Sequence, residues 1–326
     1  MKSFHPLQIS REEYKLTDEV IGKGAFGVVY VGVRQRDGEE VAIKRVPKAK
    51  ADFQVLSREI SILKRCDHDN IIKFYACYED KRYVYIVTEL ARGGELFDHI
   101  VKRRHYSESD ARSLVKQILS ALCYLHQNHV AHLDLKPENL LLKAVPEDYD
   151  EMEERFIPCI KVADFGTSVI FGENQERQVS IGTPGYVAPE VLQQKTYTTE
   201  PDVYALGVIT YVLIAGHLPF SDGDTKEMLK AQVKGQWTFT RRFDQVSDEA
   251  KDFIRLAMTT DFRKRPTSAQ LLKHPWMSEV VIDHDLLESA EDLRHYVARL
   301  RLRAGVQTLA IAMRISHIED YIKDLE

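Results

Sequence analysis

The sequence predicts an α+β protein of two lobes, a small antiparallel β-rich lobe over 14–90 and a larger helical lobe over 91–278, followed by a helical tail at 279–326. Three observations carry this. Short runs rich in Val, Ile and Tyr, bounded by turn residues, crowd the first ninety positions. Beyond them, apolar residues recur mostly at helical spacing. Between the two regimes, Ala91-Arg92-Gly93-Gly94 breaks the pattern as a hinge would.

Residues 1–13 form an extension without the apolar core of a secretory signal. Val28-Val29-Tyr30-Val31 and Glu40-Val41-Ala42-Ile43 flank Arg36-Asp37-Gly38, a hairpin signal. Phe53, Leu56, Ile60 and Leu63 then share one face of a helix. Two further apolar segments, 71–75 and 83–87, bracket the polar turn Glu79-Asp80-Lys81. Past the hinge, Ser107-Glu108-Ser109-Asp110 opens a helix with Leu114, Ile118, Leu122 and Leu125 on its apolar face. An acidic insertion lies between Lys143 and Pro158 and reads as a solvated loop. Tyr204 to Ala215 is the longest apolar run, about a dozen residues against the ~20 that span a bilayer. It reads as a buried core helix.

Composition narrows the function. With 326 residues, 44% hydrophobic and 29% charged, the chain can bury one large core or two joined lobes. A net charge of −5 supplies no global field for nucleic acid or acidic membranes, so neither is expected as a partner. Cys66, Cys77, Cys123 and Cys159 show no metal-ligand spacing and suit reduced thiols in a cytoplasmic protein, with nuclear access left open.

The chemistry concentrates in His132-Leu133-Asp134-Leu135-Lys136-Pro137-Glu138-Asn139. A second carboxylate follows in Asp164-Phe165-Gly166. Two carboxylates, an ammonium and a carboxamide around one cleft suit phosphoryl transfer, which needs an oriented hydroxyl and neutralised phosphate oxygens. Upstream, Ile21-Gly22-Lys23-Gly24-Ala25-Phe26-Gly27-Val28-Val29 holds a G-x-G-x-x-G motif, whose glycines let a backbone lie against phosphates. A dinucleotide fold uses the same spacing, and Glu39 and Glu40 stand where its ribose ligand would be. That motif opens a helix, however, and here a strand and hairpin follow, leading to Lys44 at the end of Val41-Ala42-Ile43-Lys44. Glu39 and Glu40 then read as solvated hairpin residues. Glu59 on the next helix is the candidate partner of Lys44.

The order and spacing of these motifs resemble the eukaryotic protein kinases from about Tyr14 to Met277. The resemblance implies a bilobal kinase fold and transfer of the γ-phosphate of ATP, with Mg2+, to Ser or Thr hydroxyls of proteins. By the same resemblance Asp134 orients the hydroxyl and accepts its proton, Lys136 steadies the γ-phosphate, and Lys44 with Glu59 holds the α- and β-phosphates. Asn139 and Asp164 are the implied metal ligands. The nucleotide site would comprise Ile21, Gly22, Lys23, Gly24, Ala25, Phe26, Gly27, Val28, Val29, Ala42, Lys44, Glu89 and Leu141, with Val29, Ala42 and Leu141 clamping adenine and Thr88-Glu89-Leu90 offering backbone groups to it. Leu63, Phe74, His132 and Phe165 match the apolar stack joining the lobes. Gly182-Thr183-Pro184-Gly185-Tyr186-Val187-Ala188-Pro189-Glu190 looks like the end of an activation segment, with Glu190 paired to Arg265, and Asp202 looks like the buried tie of the catalytic loop.

Leu133 departs from the family, which usually carries Arg there to receive a phosphate; the activating Thr of some relatives is Val179, and Ser180 remains as a phosphosite without that receiver. The run around Leu133 is similar to the myosin-light-chain and death-associated branches of the calcium/calmodulin-dependent group, as are Gly93 to Asp98 and His274-Pro275-Trp276. Glu95 and Glu138 match carboxylates that read an Arg upstream of the target, so substrates with basic residues are expected. In the tail, Leu293, Tyr296, Val297 and Leu300 share one helical face with Ala304, Ile311, Ile315 and Ile318, while Leu302, Val306, Leu309 and Met313 form the opposite one. Two stripes suit a segment that packs on the kinase and is then engulfed by calmodulin, bound through 293–318; a structural helix or dimer contact is the alternative. The rival functions are a pseudokinase scaffold, which loss of Lys44, Asp134, Asn139 or Asp164 would favour, and a kinase of small molecules, against which the peptide-binding segment 182–190 speaks.

Overall fold

In the computed structural model the described residues are 13–24, 27–103, 106–144, 157–171, 182–221, 223–278, 284–286 and 288–302. The small lobe is a five-stranded antiparallel sheet ordered β1-β2-β3-β5-β4, with β1 Tyr14–Gly24, β2 Gly27–Arg34, β3 Glu40–Pro47, β4 Phe74–Glu79 and β5 Tyr83–Glu89. The β2–β3 turn forms where the Asp-Gly pair sits, with Gly38 at φ 76°. Helix α1, Phe53–Leu63, starts at Asp52, whose carboxylate accepts hydrogen bonds from the backbone N–H groups of Gln54 and Val55. Leu56, Ile60 and Leu63 are buried as their spacing predicts, but Phe53 is 48% exposed. It occupies the first helical position, next to the capping residue Asp52.

The large lobe begins with α2, Leu96–Ile100, and α3, Glu108–Gln127. Ser107 caps α3 through a reciprocal box with Asp110, and Leu114, Ile118, Leu122 and Leu125 are fully buried. Short strand pairs then frame the cleft: β6 Val130–Ala131 with β9 Val169–Ile170, and β7 Leu140–Leu142 with β8 Ile160–Val162. Helix α4, Pro189–Leu192, precedes α5, Glu200–Ala215, in which every residue from Pro201 to Ala215 is buried. That explains why α5 shows no apolar stripe: it has no solvent face. Helices α6 Thr225–Lys234, α7 Asp248–Ala257 and α8 Ser268–Leu271 complete the lobe.

A last helix, α9, runs over 288–302 and lies on the large lobe. Leu293, Tyr296 and Val297 are buried and Leu300 packs against the core, whereas Leu302, from the second stripe, is 68% exposed. Gly216 makes this docking feasible: it takes φ 77°, and a Cβ there would stand 2.3 Å from the carbonyl oxygen of Ser289. Among the described residues no helix is long and apolar enough to cross a membrane. Most of the acidic insertion, Val179, Ser180 and the tail beyond Leu302 lie outside the described residues.

Candidate active site

The cleft lies where Lys44 of β3 meets Asp164, two residues after β8. Lys44 leaves β3 toward α1, and its Nζ lies 2.6 Å from Glu59 Oε1 and 3.7 Å from Asp164 Oδ1. Burial alone would push the ammonium toward neutrality, but Glu59 and then Asp164 outweigh it and hold its pKa above the ordinary lysine value. The glycine hairpin lies beside it. Gly24 pairs with Gly27, and a Cβ at Gly27 would sit 2.3 Å from the carbonyl oxygen of Arg45, so the close return of β2 along β3 requires glycine there. Ala25 and Phe26 lie outside the described residues. Ile21 is exposed, and Val28, Val29, Ala42 and Leu141 are half-buried. Thr88 and Glu89 still belong to β5; only Leu90 onward is free of it.

On the opposite wall, Asp134 accepts a hydrogen bond from the Thr183 hydroxyl at Oδ1 (2.8 Å) and meets Lys136 Nζ at Oδ2 (2.7 Å). Lys136 Nζ also reaches Thr183 Oγ1 at 3.3 Å. Burial lowers and Asp134 raises the pKa of Lys136, with a net rise that keeps it a cation. Asn139 donates through Nδ2 to the Asp134 carbonyl oxygen (2.8 Å), which leaves its amide oxygen to accept or ligate. Asp164 is half-exposed and sits at φ 60°, an unfavourable backbone conformation for a non-glycine residue and one that concentrates at functional sites. An amide oxygen and a carboxylate are hard donors, and they fit a magnesium ion that takes its remaining ligands from phosphate and water.

The loop is held from beneath. Asp202, fully buried, accepts from the backbone N–H groups of His132 and Leu133 at 2.8 Å each, and meets His126 Nε2 at 2.9 Å. Burial raises its pKa, but the bond to His126 and the neighbouring His132 outweigh burial, for a net depression. Leu133 takes φ 66°, a strained position that these bonds enforce, and its apolar side chain is buried. The ring of His132 stands edge-on to Phe165 at 5.1 Å, while Leu63 and Phe74 join the same core. Arg265 meets Glu190 through two bonds, 2.6 and 2.9 Å, both partners buried, with its guanidinium 5.0 Å from the Tyr204 ring.

The structure links Lys44 with Glu59 and Asp164, and Asp134 with Lys136 and Asn139, while Glu39 and Glu40, expected to be solvated, carry ion pairs instead. Glu39 pairs with Arg34 and accepts from the Tyr75 hydroxyl, and Glu40 pairs with Arg92 within the hinge. Four relationships were not anticipated: His126 with Asp202, Lys161 with Glu89 (2.7 Å), and two contacts of α9. Tyr296 shares a buried hydrogen bond with Tyr186, and Arg301 ion-pairs with Asp98. A buried-strand lysine in Ile160-Lys161-Val162 was a legible signal, because an ammonium between two core residues needs a partner.

Comparison with known proteins agrees with this geometry. A family model described as "Protein kinase domain" matches residues 16–277. The chain is 42% identical over 303 residues to a probable myosin light chain kinase of Dictyostelium discoideum, covering 91% of this chain and 74% of the relative. It is 40% identical over 286 residues to calcium/calmodulin-dependent protein kinase type 1 of Caenorhabditis briggsae, covering 86% and 77%. The same identity and span relate it to type 1B of Homo sapiens, covering 86% and 80%.

Proposed function

The chain belongs to the protein kinase family, among the Ser/Thr kinases of the calcium/calmodulin-dependent group, and from that premise we propose that Asp134 orients the target hydroxyl and takes its proton as the γ-phosphoryl group of ATP is transferred. The observation that carries this is the meeting of two ion pairs in one cleft, Lys44 with Glu59 and Asp134 with Lys136. Glu59 fixes the Lys44 ammonium, so its charge points at phosphate oxygens rather than solvent. Lys136, held by Asp134, offers a second cation where charge spreads over the transferring group. Thr183 ties the peptide-binding segment to the same carboxylate, so that segment and general base are positioned together. Asn139 and Asp164 would hold magnesium, which when bound neutralises phosphate charge.

The kinase domain proper would span 14–278, behind an N-terminal extension at 1–13 and ahead of a regulatory tail at 279–326. In specificity, Glu95 and Glu138 would read an Arg three residues before the target. Burial, then Asp98 and Glu138, raise the pKa of Glu95, the electrostatic mark of a carboxylate cluster that a guanidinium would relieve. Some relatives read a second adjacent Arg with a carboxylate at position 212; here that residue is Val212, buried in α5, so a second Arg should matter less. The tail would be autoinhibitory. Arg301 on α9 already occupies the edge of that cluster at Asp98, and Tyr296 rests on Tyr186 of the peptide-binding segment. Calcium-calmodulin would relieve it through 293–318, in line with what the two calcium/calmodulin-dependent relatives are named for. A cytoplasmic location goes with this reading.

Transfer of labelled phosphate from ATP to a mixture of basic peptides tests the core of the proposal. Asp164→Ala should lower it by at least about a hundredfold, the loss typical when charge stabilisation of a transition state is removed. Wild-type incorporation no higher than that of the variant would make the chain a pseudokinase scaffold.

A further inference from the structure

We propose that Lys161, a residue with no place in the phosphate-transfer machinery, positions the adenine-binding edge of the cleft by clamping Glu89 across the two lobes. The inference rests on the reading of 88–90 as the segment that meets the base. Lys161 lies in the middle of β8, between Ile160 and Val162, which are fully buried. In the β7–β8 ladder it stands directly opposite Leu141. Directly opposed residues of an antiparallel pair project from the same face, so Lys161 and the apolar floor proposed for the base share one side of that ladder.

From there its ammonium reaches Glu89 at 2.7 Å, with side chains 7% and 12% exposed. Glu89 ends β5, pairs in register with Val41 of β3, and donates its backbone N–H to the carbonyl oxygen of Lys73. The ion pair thus joins the last residue of the small-lobe sheet to a strand of the large lobe. Glu89 Oε1 is buried and makes no hydrogen bond among the described residues, so the Lys161 ammonium beside it is the charge that balances it. A dry pair of this kind is costly to break on one side, because the remaining charge is left without water or counter-ion. The pair therefore constrains how far the carbonyl groups at 88–90 stand from Leu141. On this reading the base contacts depend most directly on this distance, while the phosphates would be held by Lys44 and the glycine hairpin.

The full chain is compared with Lys161→Met, Lys161→Arg, and the double variant Lys161→Met/Glu89→Gln, which removes both charges and keeps the fold testable if the single variant fails to fold. Binding of ATP and of inorganic tripolyphosphate is measured by calorimetry, alongside kcat and KM. We expect ATP KM and Kd to rise about tenfold in Lys161→Met and in the double variant, equivalent to the loss of one well-placed hydrogen bond, with kcat at saturating ATP within about twofold in Lys161→Met. Tripolyphosphate affinity should not move, and Lys161→Arg should restore most of the ATP affinity. A folded double variant with wild-type ATP affinity overturns the inference, as does an equal loss toward tripolyphosphate. If the wild-type chain binds ATP no better than tripolyphosphate, it is the reading of 88–90 as the base-binding segment that fails.

Discussion

The hydroxyl of Tyr296, on the helix that follows the catalytic lobe, meets the hydroxyl of Tyr186, on the segment that would receive peptide, at 2.5 Å with both rings buried. Burial, then the neighbouring Tyr296, raise the pKa of Tyr186 well above the ordinary value, so Tyr186 meets Tyr296 as a neutral phenol in a hydrogen bond. A helix that served only to finish the fold could have packed on α5 alone, where Gly216 admits it. By reaching Tyr186 and Asp98 as well, α9 couples its own docking to the two surfaces proposed to read substrate.

The first prediction concerns that coupling. Removing residues from 293 onward should raise peptide kcat/KM, and Tyr296→Phe should do so more modestly, by about fivefold, the value of one net hydrogen bond. Steady-state assays with an Arg-containing peptide measure both. If truncation and Tyr296→Phe leave kcat/KM unchanged while the protein stays folded, the helix is structural and regulation lies elsewhere.

A second prediction follows from the exposed Leu302. Leu302 is exposed while Leu293, Tyr296 and Val297 are buried, so a partner that engulfs this helix would meet Leu302 first and then pull the buried face free. A peptide of residues 293–318 should bind calmodulin with calcium and release it on chelation, and Leu302→Glu should weaken the complex about tenfold or more, since a charge replaces a buried leucine in the groove. Calorimetry that finds no binding, or binding indifferent to calcium, removes calmodulin as the partner.

Much of this was legible from the sequence, for physical reasons. Gly27, Lys44, Asp134, Asn139 and Asp164 sit in short local motifs where the backbone conformation and the chemistry are dictated within a few residues. The buried face of α3 followed from its period, and the inner stripe of α9 was readable in the same way. The long-range pairs were not. Nothing local to Lys161 says that its partner is Glu89, 72 positions earlier, or that Arg301 will find Asp98, because such partners are selected by lobe packing and not by spacing. Phe53 illustrates the opposite failure: it keeps the helical period yet is exposed, since periodicity marks a face and not how far along the helix that face is covered.

The third prediction concerns activation. Leu133 is buried with Asp202 holding its backbone, and an apolar side chain cannot receive a phosphate. Enzyme made in bacteria and stripped with phosphatase should keep more than about half of its turnover, because the charge-assisted ordering that phosphorylation supplies in relatives has no receiver at this position. A fall of tenfold or more on stripping would show that another basic residue has taken over.

The last prediction is a pH dependence with a definite sign. Burial, then Asp98 and Glu138, raise the pKa of Glu95 above the ordinary glutamate value, with Arg301 as the one group that lowers it. Only the carboxylate form can pair with a substrate guanidinium, so preference for Arg three residues before the target should fade as pH drops through the raised value, earlier than an ordinary glutamate would allow. The effect on stability runs the other way. A folded pKa above the unfolded one means the folded state holds the proton more tightly, so Glu95 costs stability as pH rises past the unfolded value, in full above the folded one. Glu95→Gln should therefore melt higher than wild type at neutral pH and lose the Arg preference at every pH. Truncation that removes Arg301 should shift the transition upward, since it takes away the neighbouring cation. The ratio of kcat/KM for an Arg peptide to its Ala counterpart, measured between about pH 5 and 7.5 around ordinary carboxylate and histidine values, decides it. A ratio that is flat with pH in wild type, or unchanged in Glu95→Gln, takes Glu95 out of substrate recognition.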